Sequence, residues 1–197
     1  GPSGARGAHW AVALQVPAAF EACARGADRI AAANIPEEVV DGLAAVCLHP
    51  LKKKPEGIRP VGAGEALRRV VARALLAERT GVLAEGVGKH QLGAGLRGGG
   101  EKLGHSVRAT AEARPTDCWV ALDLSSAFGT MLRHGALEAA SAVVPGCRAF
   151  LGMFLGRDTR YRFVRSTGGA TWLLAGEGAE QGDVWGPVLY SLALAFG

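Results

Sequence analysis

Three groups of residues in this sequence have types and spacing that could support chemistry on phosphates. The first is Asp123, which ends the apolar run 118–122. An ionised carboxylate at the end of a buried strand is costly unless a cation meets it, and Mg²⁺ is a suitable partner because it prefers oxygen ligands. The alternative is an aspartate that only caps the turn at 124–126, and the sequence pattern favours neither.

The second group is a basic turn that contains Lys53, Lys54 and Arg59. A flexible lysine provides a point charge for phosphate, and an arginine followed by a proline can offer a fork to two phosphate oxygens. Such a turn binds phosphate in one interpretation and is merely solvated in the other.

The third group is the glycine-flanked polar segment 178–183, which includes Gln181 and Gly182. A glycine allows another backbone or a nucleic-acid strand to approach closely, and a glutamine amide can both donate and accept hydrogen bonds. The alternative is an ordinary helix cap, because Asp183 can start the apolar helix that follows.

The elements that position these groups predict an α+β fold. Residues 1–9 should be loose, and the best strand is 118–123, where an apolar run ends in a carboxylate. A basic hairpin tip at 52–60 and a second hairpin over 160–174 supply more strands. Helical periodicity predicts helices over the ranges 65–78, 101–112, 130–144 and from Asp183 onward.

Composition limits the class of protein. The chain has 197 residues, of which 49% are hydrophobic and 20% charged, so it can bury a core. The net charge of +4 favours a polyanionic partner without proving one. With 29 glycines and only 6% aromatic residues, packing should depend on Ala, Leu and Val.

Several classes are excluded on sequence grounds. The four cysteines are widely spaced with no CxxC pair, so we expect free buried thiols rather than structural zinc or a disulfide framework. No apolar stretch approaches the roughly 18 to 20 residues of a membrane span, and no leader opens the chain. We therefore expect an intracellular, soluble protein without a membrane partner.

A glycine pattern at 93–98 spells GxGxxG, and Asp117 follows at about the distance of a ribose-binding acid. A dinucleotide-binding unit also needs a buried strand immediately before Gly93, and residues 86–91 are a poor strand. The preferred interpretation is a glycine-rich connector that enters the helix near Glu101.

Taken in order, these segments resemble the reverse transcriptases, most closely those of non-LTR retrotransposons. The resemblance covers about residues 45–197. Four motifs carry it. The first is a lysine turn followed by Arg-Pro and an arginine-bearing helix, and the second is His-Gln-Leu-Gly followed by a glycine-rich segment. The third is an Asp motif that ends in Ala-Phe, and the fourth is Gln-Gly-Asp followed by Gly-Pro. These motifs occupy residues 51–74, 90–105, 120–128 and 181–187.

The resemblance implies a fold and a division of the chain. Residues 1–115 would be helical and hairpin fingers, packed on a partial right-hand polymerase palm at 116–197 that contains an antiparallel sheet. The chain has no acidic residue after Asp183, so the palm would be truncated before the second catalytic carboxylate turn.

The resemblance also assigns roles to individual residues. Asp123 would be a catalytic metal ligand, with the Leu124 carbonyl facing the metals, and Phe128 would pack against the incoming sugar and disfavour a 2′-hydroxyl. The remaining roles are phosphate binding by Arg59 with Lys53 or Lys54, contact with the templating base and new pair by Gln181 and Gly182, and nucleic-acid binding by Arg69 and Arg73.

The implied activity is RNA-directed DNA polymerisation with an RNA template, a DNA primer and dNTPs. Its two-metal mechanism would use two Mg²⁺ ions, or Mn²⁺, and needs carboxylates from two places. We therefore expect this chain alone to be inactive and the intact parent to be the enzyme. The alternative from another class is a non-catalytic nucleic-acid-binding relic of a retroelement.

Overall fold

The computed structural model describes residues 1–93 and 97–196. Within these ranges the helices are α1 (Gly7–Ala13), α2 (Pro17–Ala31), α3 (Glu37–Ala44), α4 (Ala66–Glu78), α5 (Thr80–Gly86), α6 (Gly99–Ala113), α7 (Arg133–Val143), α8 (Arg148–Leu155) and α9 (Gly186–Phe196). The strands are β1 (Val46–Lys52), β2 (Ile58–Gly64), β3 (Thr159–Val164) and β4 (Ala170–Ala175). The class is α+β, as the sequence predicts.

The four strands form one sheet in the order β2-β1-β3-β4. Both hairpins are antiparallel, with Lys52 opposite Ile58 in the first and Val164 opposite Ala170 in the second. The central pair is parallel, because β1 aligns Val46 with Tyr161 of β3. The sheet is therefore mixed: β3 and β4, which lie within residues 116–197, are antiparallel, and the parallel pair joins them to β1. The sheet joins strands from both sides of residue 115. The division of the chain into fingers and palm stays a prediction.

Helices α2 to α5 and α7 to α9 each contribute buried residues to the core. Alanines at 136 and 140 are completely buried in α7, and their small side chains let α9 pack closely with Leu189 and Leu192. Burying each leucine contributes about 1.5 to 3 kcal/mol. Trp185 is also buried, and its indole N–H donates to the Ala72 carbonyl at 3.0 Å, so the large ring brings no unpaired polar group into the core.

The predicted strand at 118–123 is wrong. Residues 118–124 pair with none of the described strands, and the side chains of Val120 and Leu122 are 80% and 88% exposed. A strand needs a hydrogen-bonding partner as well as an apolar run, and the sequence pattern reports only the run. Asp123 consequently lies in exposed, non-strand chain rather than at the end of a buried element.

The first nine residues are more ordered than the sequence predicts. The Ser3 amide and hydroxyl donate to the two carboxylate oxygens of Glu65, at 2.8 and 2.6 Å. Helix α1 then begins at Gly7, although it buries no residue. The start of the chain is therefore held against the beginning of α4 by a charge-assisted pair of hydrogen bonds.

Two expectations about the class of protein can be compared with the structure. All four cysteines are free, but only Cys147 is buried, whereas Cys118 is exposed. Among the described helices, none combines the length and apolar character that crossing a membrane would require.

Candidate functional site

The segment 178–182 is held by backbone hydrogen bonds on both of its sides. On one side the Ala179 N–H donates to the Phe128 carbonyl at 2.8 Å. On the other side the Gly62 N–H of β2 donates to the Gln181 carbonyl at 3.1 Å. These bonds bring together the turn that carries Phe128, the polar segment and the basic hairpin, which are far apart in the sequence.

Two glycines make this close approach possible. Gly182 has φ +118°, and a Cβ there would lie 2.9 Å from the Gly62 carbonyl oxygen. Gly178 has φ +70°, and its Cβ would collide with the carbonyls of Phe128 and Gly129. The sequence predicts that Gly182 admits another backbone or a nucleic-acid strand, and in the structure the β2 backbone of the same chain lies there.

The three joined segments, together with β3 and β4, line a cleft of about 490 Å³. Lys53 and Arg59 line it from the hairpin, Phe128 from the turn, and Gln181 from the polar segment. A second cavity of about 360 Å³ shares Arg59, Phe128 and Gln181 with the first and adds Gly182. Four of the residues predicted to bind nucleotide therefore meet in the first cleft, and a fifth, Gly182, lines the cavity that shares residues with it.

The other predicted residues lie outside this cleft. Lys54, Asp123 and Leu124 are exposed and line neither cavity. Arg69 and Arg73 lie on the exposed side of α4, and Arg69 borders only a small cavity of about 20 Å³ next to Gly182.

The described residues do not by themselves make a Mg²⁺ site. Asp123 is exposed, so its charge is solvated and does not require a cation. Among residues 1–93 and 97–196, no group of three or more His, Cys, Asp or Glu side chains is arranged to hold a metal ion. One carboxylate and the neighbouring Leu124 carbonyl are fewer donors than a two-ion mechanism needs.

A buried arginine lies behind the cleft. Arg68 is 8% exposed, its Nη2 donates to Asp183 Oδ2 at 3.0 Å, and its guanidinium lies 4.3 Å from the centre of the Phe154 ring. Its Nη2 also lies 3.7 Å from Glu180 Oε2, too far for a hydrogen bond. One arginine therefore serves two carboxylates and is engaged mainly with Asp183.

Glu180 is the most perturbed acid of the site. Its side chain is 9% exposed, and it lines both cavities. Burial is the largest cause that raises the pKa of Glu180 to about 7, with Asp183 adding to the rise and Arg68 opposing it. Burial, followed by the nearby Glu180 charge, also raises the pKa of Tyr161 to about 12.

Sequence reasoning missed Arg68 and Glu180. Residues 68, 71, 72 and 75 follow the helical i, i+3, i+4, i+7 spacing, so Arg68 shares the apolar stripe of α4 with Val71. An arginine on such a stripe requires a buried acid, so the sequence could have predicted that Arg68 is buried and paired. No comparable signal marked Glu180, because its burial depends on contacts between distant segments.

Arg133 fixes the start of the polar segment and was also missed. It is buried, and its guanidinium donates to the carbonyls of Gly178 at 2.8 Å and Glu177 at 3.0 Å. Further bonds reach the Arg157 carbonyl at 2.7 Å and Thr159 Oγ1 at 2.9 Å. The side chain thereby connects α7 and β3 with the segment that leads into the cleft.

Phe128 is supported from α9. Its ring centre lies 5.3 Å from that of Tyr190 at an interplanar angle of 58°, a favourable tilted arrangement. The ring remains 37% exposed and borders both cavities. It can therefore offer an apolar edge to a bound molecule while its position is fixed by Tyr190.

The dinucleotide interpretation is not supported. Residues 86–93 contain no strand before Gly93, as that motif requires. The central positions 94–96 of the pattern lie outside the described residues.

No protein-family model matches the chain, and no curated protein matches it either. The likeness to reverse transcriptases therefore depends on the ordered motifs alone and stays a prediction.

Proposed function

We propose that the chain is the nucleotide-binding portion of an RNA-directed DNA polymerase, comprising fingers and the first part of a palm. The observation that carries the proposal is the meeting of Lys53, Arg59, Phe128 and Gln181 in one cleft. These residues come from three distant segments. The motif resemblance assigns Arg59, with Lys53 or Lys54, to the incoming triphosphate, Phe128 to its sugar, and Gln181 to the templating base and the new pair. In the whole enzyme the partners would be an RNA template and a DNA primer.

The chemistry of the cleft suits a nucleoside triphosphate. Lys53 and Arg59 supply cationic donors for phosphate, and hydrogen bonds to charged groups contribute about 1.5 to 3 kcal/mol each. Phe128 supplies an apolar edge for the sugar, and the Gln181 amide can both donate and accept. A volume of about 490 Å³ lies within the range of ligand pockets.

Binding of the metal ions is proposed for the intact parent enzyme, because the described residues alone do not supply enough ligands. Asp123 and the Leu124 carbonyl are oxygen donors of the kind that Mg²⁺ or Mn²⁺ takes, but they do not complete a site. The function proposed for this chain is therefore nucleotide binding, and catalysis is proposed only for the intact polymerase.

Calorimetric titration of a dNTP into the chain tests the proposal. We expect Arg59→Ala to weaken binding about tenfold or more, because one charge-assisted phosphate contact is lost. Arg108→Ala is the matched control. Arg108 is exposed on α6, so this substitution removes the same charge at a position away from the cleft. Equal losses in both variants would point to nonspecific attraction of the nucleotide to a basic protein.

The second candidate is a non-catalytic nucleic-acid-binding relic, and the exposed tip with Lys53, Lys54 and Arg59 favours it. Counterion release makes such binding strongly salt-dependent. RNA binding that weakens with added salt, without measurable dNTP binding, would support this candidate over the polymerase.

A further inference from the structure

Glu180 places a carboxyl in a cleft whose rim is cationic, and no role for it follows from the motif resemblance. It lines both cavities together with Arg59, Phe128 and Gln181. An acid in this position would repel the phosphates of a nucleotide if it were ionised. Its protonation state therefore affects what the cleft can bind.

The carboxyl cannot easily withdraw from the cleft. Glu180 packs over Gly62 of β2, where an added Cβ would lie 2.9 Å from the Glu180 Cβ and 3.0 Å from the Val46 side chain. With β2 on that side, the side chain has little room to relax toward the sheet. It stays next to the space that a ligand would occupy.

The surrounding groups leave the Glu180 charge poorly compensated. Arg68 of α4 lies 3.7 Å away and directs its hydrogen bond to Asp183 instead. Tyr161 of β3 lines the same cleft as a neutral phenol, and Asp183 adds a second negative charge. A protonated Glu180 can donate its O–H toward Asp183, which leaves Arg68 paired with a single carboxylate.

We propose that the cleft binds a nucleoside triphosphate with Glu180 in its neutral form, so that binding above neutral pH takes up one proton from the buffer onto this carboxyl. The inference rests on the proposed function, because it needs a triphosphate in the cleft. Glu180 is then a residue that sets affinity through charge, and the bound polyanion favours the protonated acid further.

Calorimetry of dATP binding at pH 8, without divalent cations and in two buffers of different ionisation enthalpy, measures the proton uptake directly. We expect uptake approaching one proton per nucleotide for the wild-type chain and clearly less for Glu180→Gln. Across pH 7 to 9 the wild-type affinity should fall by up to about tenfold per pH unit relative to the glutamine variant. The titration of the phosphates themselves is common to both proteins and cancels.

The matched control is Glu177→Gln, because Glu177 also lines the cleft but is exposed. It should keep the wild-type pH dependence, and circular dichroism at each pH should show that all variants are folded. If Glu180→Gln does not fold, the wild-type proton uptake alone decides the question. Nucleotide binding with no proton uptake and equal pH profiles would overturn the inference and leave the proposed function standing, whereas no nucleotide binding at any pH would overturn both.

Discussion

Replacing Glu180 with glutamine should stabilise the free protein at alkaline pH. The pKa of this carboxyl is raised from its usual 4.5 to about 7 in the folded chain, mainly by burial. Because the folded pKa is the higher one, the folded state binds the proton more tightly. Stability from this group is complete below pH 4.5 and is lost as the pH rises through 7.

The size of the effect follows from the two pKa values. The difference between 4.5 and about 7 corresponds to roughly 3 kcal/mol at about 1.4 kcal/mol per tenfold change in proton affinity. Glutamine keeps the shape and cannot ionise, so it avoids this cost at pH 8. For a chain of this length, roughly 3 kcal/mol shifts the melting temperature by about 6 to 12 °C.

Urea and thermal unfolding at pH 4.5 and pH 8 would measure this difference. We expect Glu180→Gln to match the wild type at pH 4.5, exceed it at pH 8 and show a flatter pH profile between them. Glu177→Gln, which changes an exposed acid of the same cleft, should follow the wild type. A glutamine variant less stable than the wild type at pH 8 would refute the reasoning, because it would mean that Arg68 stabilises an ionised Glu180 more than burial disfavours it.

Three further substitutions test the framework of the site. Arg68→Met leaves two buried carboxylates without their cation and should lower the free energy of unfolding by about 3 to 5 kcal/mol at pH 8. The loss should be smaller at pH 5, where Glu180 is neutral. Equal losses at both pH values would contradict this. Gly182→Ala places a Cβ 2.9 Å from the Gly62 carbonyl oxygen at φ +118°. It should lower the free energy of unfolding in urea by about 1 to 3 kcal/mol. An unchanged urea midpoint would contradict the close backbone approach. Arg133→Lys removes most of the donors that hold segment 177–178 and should lower both the melting temperature and dNTP affinity; a loss of stability alone would limit Arg133 to a structural role.

The local elements were predictable because their signals are local. The helix at 66–78 and the hairpin around 165–169 follow from periodicity and turn residues within a few positions. The basic segment 52–60 was predicted as a loop or hairpin tip because it is a basic turn bounded by apolar residues, and it contains the turn between β1 and β2. Each of these elements satisfies most of its backbone hydrogen bonds within itself or with its immediate neighbour.

The non-local pairing was not predictable from such signals. The parallel contact of β1 with β3 joins Val46 to Tyr161 across most of the chain, and no turn residue encodes it. The error at 118–123 has the same origin, because an apolar run has strand character only when a partner strand is available. Local pattern therefore gave the hairpins but not how they are joined.

Only part of the predicted residue set comes together in the cleft, and its electrostatics were not predicted. The resemblance named Arg59 with Lys53 or Lys54, and also Phe128 and Gln181. All of these except Lys54 line one cleft. The buried charges behind them were missed, because helical spacing was used to find an exposed arginine face rather than a buried one. The buried arginine of the site is Arg68, next to Arg69, which the resemblance assigned to nucleic-acid binding.

Glu180 links the stability of the fold to the ligand that the cleft can take. The folding experiment needs no ligand and measures only whether the carboxyl is neutral in the free protein. The proton-uptake experiment measures whether phosphate lies next to that carboxyl. If the first prediction holds and nucleotide binds without proton uptake, the carboxyl is remote from the phosphates, and the triphosphate would lie toward Arg59 and Lys53 at the outer rim. If both hold, the phosphates lie deep in the cleft beside Glu180, and neutralisation of that acid is part of how an anion is accommodated.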